Sequence, residues 1–590
     1  MRRAAIKKGQ AMSGDFLVRG TNPAAVFSLT VHRGDGMCML AMDWKTAEPP
    51  ADFVGFAIEF KPPGANRYYA VNNRLCFEGR ERPTPPGAAA PQYPSTEAPL
   101  QTFRWVHFPR DADKADAFRY RVTPVYMGEN DTLSNGEPQE IEIVLQRETW
   151  PGKVDVCFTR GFVSSQAFSD KFGGAAGLKQ LIPAKADDGL GFVSTHAEAA
   201  RAYDWMGFDA RDRILDLLDT AVAEPGAQVR VVAYELNLPE MVARLVKLGG
   251  RLKIIIDDSA HKADAHSAES LAAAQLIAAG AQVLRQHMGQ LQHNKMIIVD
   301  GPATQSVVCG STNFSWRGFY VQANNAVVLK GAGVVAMQLE AFEAYWAGTR
   351  DFKKSPVTQW RKLPIAGIDA ALAMSPRSEA KALLASIGQD VAQAQSSLFF
   401  SLAFLSQTGG EVSQAVSDVT HNPSVFSCGI SDKRTGILVT NVDGNATPVF
   451  SAALTGKLPE PFRSESAGGG GVKMHHKFVV IDFDKPNARV YTGSFNFSDT
   501  ADTKNGENLL LFRDRRIATA YMVEAVRIFD HYRFRVKQAE QKVEAAHDPA
   551  IKKRISLKKP PKAGEKAWWL RFYTEANKIR DRKLFALSGG

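Results

Sequence analysis

The sequence is poor in cysteine and has no long apolar run. Its five cysteines, Cys38, Cys76, Cys157, Cys309 and Cys428, are scattered and odd in number. They form neither a CxxC pair nor a zinc-ligand spacing, which speaks against a disulfide scaffold and for reduced thiols in a cytoplasmic setting. No stretch approaches the roughly 20 apolar residues that cross a bilayer. The leader MRRAAIKKGQAMSG (1–14) is basic but lacks an apolar core, so no secretory signal is read there, with export by another route left open. Most of the chain also lacks an excess of either charge. Of 72 Lys+Arg and 62 Asp+Glu, 16 and 6 lie in 531–590, leaving 56 of each sign in 1–530. The surplus therefore sits in the last sixty residues, whose basic, aromatic tail (536–590) contains KKRISLKKPPK (552–562) and WWLRFY (568–573). Such a tail suits contact with an anionic surface, either nucleic acid or membrane; a solvated face, or aromatics packed back on a domain, is the plainer reading.

At 590 residues the chain exceeds a single core. Residues 15–150 read as a β-sandwich accessory domain, from short β-branched and aromatic runs (53–60, 118–126, 141–146) separated by Pro/Gly/Asn clusters. This stretch resembles a fibronectin-type or immunoglobulin-like module. Pro124 is expected at a strand end or on an edge strand. From about 151, strands (229–236, 251–258, 282–288, 295–300) alternate with helices (239–250, 268–280), which predicts a largely parallel sheet. The pattern recurs after 386, giving a first catalytic lobe (151–350), a linker (351–375) and a second lobe (376–535).

The recurrence carries the chemistry. HNKMIIVD (293–300) is followed by GSTNFS (310–315) and NN (324–325). HHKFVVID (475–482) is followed by GSFNFS (493–498) and EN (507–508). If each motif is strand throughout, His293 and Lys295 project together, as do His475 and Lys477, while Asp300 and Asp482 face away as structural partners. Asn313 and Asn496 then lie where an amide N–H donates to a phosphoryl oxygen, with Ser311 and Ser494 as supporting neighbours. Two imidazoles, two ammoniums and two amides suit attack on phosphorus and stabilisation of its oxyanion.

Two HxKxxxxD motifs, each with a downstream GSxN, resemble the phospholipase D superfamily over about 151–530. The resemblance implies a bilobed α/β fold, a pseudo-twofold site completed within one chain, a phosphohistidine intermediate and no required metal or other cofactor. It also implies a supporting amide or carboxylate after each histidine, here Asn324 and Glu507. Taken in chain order, Asn324 supports His293 and Glu507 supports His475, an amide/carboxylate split similar to that of tyrosyl-DNA phosphodiesterases. A carboxylate raises an imidazole's pKa far more than an amide does. On that order His293 is expected to be the nucleophile and His475 the general acid and then base. The substrate is a phospholipid headgroup or a nucleic acid; a binding module with a vestigial site is the reading from another class. No partner is read for the β-domain.

Three other features are set aside. His476 points away from the pair and reads as a packed or solvated histidine. Asp257, Asp258, His261 and His266 span a strand end and a loop and make a poor metal site. AGGGGVK (467–473) is not followed by a helix and reads as a lip beside the second half-site rather than a nucleotide loop. Loops 156–200 and 406–424 are candidates for the pocket walls.

Overall fold

The computed structural model describes residues 15–588 except 84–90, 110, 111, 113, 115, 146–147, 162–165, 380, 404–409, 434–435, 441–445, 451–473 and 548–555. The leader, the 467–473 lip and part of the 406–424 loop lie outside the described residues. The chain divides into two compact units, residues 1–147 with 554–590, and residues 148–553. Among the described residues, no helix is long and apolar enough to cross a membrane.

In the first unit, strands Phe27–Arg33 and Cys38–Trp44 belong to a four-stranded sheet, and Phe53–Lys61 and Phe118–Met127 to a five-stranded one. Alternating apolar residues of both sheets, among them Phe27, Leu40, Phe56 and Tyr120, enter one core. Pro124 is not on an edge strand. Its strand is interior, paired with Phe53–Lys61 on one side and with two short strands on the other. Those two pair with residues 118–122 and 125–127, so the missing N–H of Pro124 falls at the gap between them. The basic aromatic segment is not a free tail. Trp569 and Phe572 enter the same core, Trp568 Nε1 donates to the Phe53 carbonyl at 2.9 Å, and Leu557 N donates to Cys76 O at 2.8 Å. Arg104 pairs with Asp581 at 2.8 Å, and Arg582 with Asp43. Apolar area explains this: several large aromatics gain far more from burial than from water.

The second unit is mixed α/β. Its seven-stranded sheet runs Val154–Phe158, Asn325–Lys330, Gln305–Gly310, Met296–Asp300, Gln228–Ala233, Leu252–Ile256, Gln282–Arg285. A nine-stranded sheet repeats the theme, with Glu507–Arg513, Arg489–Gly493, Lys477–Ile481, Ser397–Leu402 and Phe426–Lys433 as neighbours. Among the described strands, parallel pairing is confined to those joined through a helix, such as Gln228–Ala233 to Leu252–Ile256 by way of Pro239–Leu248. The strands bearing the motifs pair antiparallel, because short connections join them. The sheets are therefore mixed rather than largely parallel. The expected linker is also structured: Asp369–Ser375 pairs along the whole of Glu507–Arg513. Helix Arg515–His547 runs across the expected boundary between second lobe and tail.

Candidate active site

Each motif's strand begins later than its histidine. The strands are Met296–Asp300 and Lys477–Ile481, so His293 and His475 lie in the approach segments. Face alternation therefore does not orient the histidines; hydrogen bonds do. Two backbone cross-connections set the geometry. His475 N donates to Ala323 O at 3.1 Å, and Gly506 N donates to Leu291 O at 2.8 Å. The first draws His475 to residue 324, and the second draws His293 to residue 507.

The supporting residues are thus crossed relative to chain order. His293 Nδ1 lies 2.9 and 2.8 Å from the two carboxylate oxygens of Glu507. His475 Nδ1 lies 2.8 Å from Asn324 Oδ1 and 3.0 Å from the Ser311 carbonyl. This overturns the expected pairing of His293 with Asn324 and His475 with Glu507. The reason is that each half-site's loop reaches the other copy's histidine. Asn324 Nδ2 donates to Gly318 O at 2.9 Å, which turns Oδ1 toward His475. All acceptors around both Nδ1 atoms are oxygens, so each ring carries its proton there and leaves Nε2 with a free lone pair. The two rings stand 6.1 Å apart, centroid to centroid.

The serines brace the two supports in matching ways. Ser311 Oγ donates to Asn324 Oδ1 at 2.9 Å and accepts from Asn325 N at 3.0 Å. Ser494 Oγ donates to Glu507 Oε2 at 2.7 Å and accepts from Asn508 N at 3.0 Å. The preceding glycines have φ of 139° and 141°. A Cβ at Gly310 would stand 2.6 Å from Asn325 O, and one at Gly493 would stand 2.3 Å from Asn508 O. Only glycine fits there. The ammonium of Lys477 donates to His475 O at 2.8 Å, and Lys295 donates likewise to His293 O. Both lysines are buried, as are Asn313 Oδ1 and Asn496 Oδ1, which have no hydrogen-bond partner.

Burial and the charges of Lys295, Lys477 and Lys262 hold the His293 imidazole well below its ordinary pKa. Burial, Lys477, Lys295 and His293 do the same to His475. Burial pushes Glu507 up to about 7, against the opposing pull of Lys295, Ser494 and Lys477. An anion between the lysines offsets the positive field that depresses the histidines.

Asp482 and Asp300 stand apart from the imidazoles. Asp482 is buried and accepts from the backbone N–H groups of Gln395, Ser396 and Ser397 at 2.9, 2.8 and 3.2 Å. Asp300 accepts from the Gln305 side chain at 2.7 Å. His476 is buried on another side, with Nε2 3.1 Å from Glu524 Oε1. Asp257 is a brace rather than a metal ligand: its Oδ1 accepts from Gln292 N at 2.6 Å, immediately before His293. His287 takes Asp258 at 2.7 Å. Among the described residues, Asp155, Cys157 and Asp209 have metal-like spacing, but Arg213 pairs with both carboxylates at 2.9 and 3.3 Å. Of the candidate wall loops, Gly189 accepts from Trp316 Nε1 at 2.9 Å, just past the GSTNFS segment.

Sequence reasoning missed several neighbours. Tyr234 packs edge-on to His293 at 4.8 Å, with Lys295 Nζ 4.8 Å from its ring centre and Lys262 Nζ at 3.5 Å. Asn508 Nδ2 donates to Asn294 Oδ1 at 2.5 Å, and Asn325 Nδ2 to Thr492 Oγ1 at 2.9 Å. The NN and EN dipeptides were visible signals for the last two. Nothing local marked Lys262.

Comparison with known proteins places these features. The family model described as "Cardiolipin synthase, PLD-like domain" matches residues 215–346 and 453–529, which hold both HxK pairs. Phospholipase D of Rickettsia prowazekii (strain Madrid E) is 46% identical over 48 residues, 8% of this chain and 22% of that protein. Mitochondrial cardiolipin hydrolase of Xenopus tropicalis is 42% identical over 59 residues, 10% of this chain and 26% of that protein. The chain thus spans about a quarter or less of the length of these relatives. The crystal structure of Nuc, a phospholipase D family member from Salmonella typhimurium, aligns at 26% identity over 24% of this chain and 89% of that one. Its TM-score is 0.20. The doubled motif lies inside these matched residues, so 215–346 and 453–529 carry a PLD-like domain.

Proposed function

We propose that the chain is a phosphodiesterase that hydrolyses a phosphodiester, or transfers it to an alcohol, through a phosphohistidine. The observation that carries this reading is the pair of imidazoles 6.1 Å apart, each held through Nδ1 by an oxygen of the other copy's supporting residue. The nucleophile must be neutral, which suits the amide-supported ring. His475, with Asn324, is therefore the nucleophile, and His293, with Glu507, is the general acid and then base. This reverses the assignment drawn from chain order. The His475 Nε2 lone pair attacks phosphorus, and the P–O bond to the leaving group breaks as the P–N bond forms. Protonated His293 gives its Nε2 proton to the departing oxygen. Water, or an alcohol, then attacks phosphorus as His293 takes its proton, and the P–N bond breaks. Lys295, Lys477, Asn313 and Asn496 hold the non-bridging oxygens. The proposed steps use no metal. The two sheets of residues 148–553 act in this reading as two lobes, and residues 15–150 as an accessory β-sandwich.

A phospholipid headgroup is the preferred leaving group. The two fused, unequal half-sites favour it, as do the matches to proteins named phospholipase D and cardiolipin hydrolase. A metal-independent nuclease is the second reading, supported by the basic surplus of residues 531–590. A vestigial binding module fits less well, because both HxK pairs and both asparagines are intact. The test is parallel assay on phosphatidylcholine vesicles and on single- and double-stranded DNA, with EDTA present. Headgroup release supports the lipid reading and nicking supports the nuclease. Silence on all three supports the binding module, and activity abolished by EDTA refutes the metal-free route.

A further inference from the structure

The residue between each histidine and its lysine is tied down in both motifs, by different partners. In the first, Asn294 Oδ1 accepts from Asn508 Nδ2 at 2.5 Å. In the second, the corresponding residue is His476, and its partner lies on the helix Arg515–His547. His476 Nε2 stands 3.1 Å from Glu524 Oε1, and both side chains are fully buried. Burial holds this imidazole below its ordinary pKa, so a neutral ring donates its Nε2 proton to the carboxylate.

Glu524 is itself clamped at both oxygens. Arg527 Nε donates to Glu524 Oε2 at 2.7 Å, and Arg527 Nη2 donates to Oε1 at 2.5 Å. Against the upward push of burial, Arg527 and the His476 bond hold the Glu524 carboxyl down at about 2. Arg527 Nη1 also donates to the Arg160 carbonyl at 3.3 Å. Arg160 follows Thr159, which grips the backbone of Asn324 twice. Asn324 N donates to Thr159 Oγ1 at 2.9 Å, and Thr159 N donates to Asn324 O at 3.0 Å. The next residue, Gly161, has φ of 59°, and a Cβ there would stand 2.6 Å from Ala323 N. One turn of helix thus anchors both the segment that carries Asn324 and the ring beside His475.

His475 and His476 precede the strand Lys477–Ile481, so sheet pairing alone does not fix them. His475 N donates to Ala323 O at 3.1 Å, and Ala403 N donates to His476 O at 3.2 Å. Those bonds hold the course of the chain, while the His476 ring stops rotation about it. Rotation at residue 476 would swing the His475 imidazole off Asn324. We infer that Glu524 is a positioning residue for the nucleophile His475, holding its imidazole on Asn324 through the ring of His476. The inference rests on the proposed phosphodiesterase and deepens it. Small misplacements of a nucleophile cost rate steeply, so Glu524 acts on P–N bond formation rather than on substrate binding.

The test compares His476→Gln with His476→Asn in the full chain. A glutamine amide reaches as far as the imidazole Nε2 and still donates to Glu524, whereas an asparagine amide stops short. With bis(4-nitrophenyl) phosphate, first-turnover release of 4-nitrophenol reports P–N bond formation. His476→Asn should slow that release about tenfold at unchanged KM, and His476→Gln should restore it. Glu524→Asp keeps a charge for Arg527 but draws back from His476, so it should match His476→Asn. The double variant should lose no more than either single one. Nitrogen-15 NMR of the imidazoles gives a readout independent of turnover, with the His475 signal identified by its absence in His475→Gln. Wild-type His475 should carry its proton on Nδ1; His476→Asn should shift that signal and His476→Gln should return it. A signal unmoved by His476→Asn, a loss that His476→Gln does not restore, or additive losses in the double variant overturns the positioning role. If the diester is not cleaved yet the signal moves and returns, the hydrolytic reading falls and the positioning of His475 stands. If 4-nitrophenol is released and the signal never moves, hydrolysis stands and the positioning role falls.

Discussion

The two half-sites share a frame and differ in charge. In each, a serine after a positive-φ glycine holds the supporting residue and its following asparagine with nearly the same hydrogen bonds. The frame ends on a carboxylate beside His293 and on an amide beside His475. A duplicated fold thus yields two imidazoles in matching frames with unlike supports. In the proposed mechanism the difference between acid and nucleophile comes from that one side chain rather than from backbone geometry.

Removing the imidazoles one at a time gives the largest effects. His475→Ala should abolish the denaturation-resistant phospho-adduct and lower turnover by about 10⁴-fold. His293→Ala should retain attack on a diester with a 4-nitrophenol leaving group, which needs no acid, and should accumulate the adduct. Peptide mapping of the trapped phosphate decides: an adduct on His293 reverses the roles. Equalising the supports is the next step. Asn324→Asp stabilises the protonated form of His475, so the acid limb of the kcat/KM profile should move to higher pH. Activity at pH 6 should fall by about tenfold or more. Glu507→Gln removes the anion that favours protonated His293, so the alkaline limb should move to lower pH. A profile unmoved by either change breaks the proposed division of labour.

The motif aspartates sharpen the contrast outside the chemistry. Asp482 holds three backbone N–H groups, of which Asp482→Ala would leave that of Ser397 buried without this acceptor. Unfolding in urea should show a loss of about 3 kcal/mol. Asp300 is partly exposed and bonded to one side chain, so Asp300→Ala should cost less than about 1 kcal/mol. Equal losses would mean that the two aspartates brace their strands alike.

The candidate site was legible in the sequence because its motifs are local: both HxK pairs, both GSxN segments and the NN and EN dipeptides lie within short windows. The crossing of supports was not legible. It depends on residues 291 with 506 and 323 with 475 meeting across the duplication, which no local spacing encodes. The face argument for the histidines failed because strand geometry begins only at Met296 and Lys477. Strand and helix positions near 229–300 were legible from periodicity, whereas sheet direction was not, since antiparallel pairing follows from which loops are short. Lys262 could not be read because a lysine after a strand has no signature until its neighbour Tyr234 is placed in space.

The union of residues 1–147 with 554–590 orders events in time. During synthesis, the strands from Phe27 to Met127 leave the ribosome long before Trp569 and Phe572 do. Their shared core must wait open until residues 148–553 have been made. The second unit, contiguous in the chain, can fold within that interval. Truncation before residue 554 would therefore leave residues 148–553 attached to an unfinished, sticky neighbour.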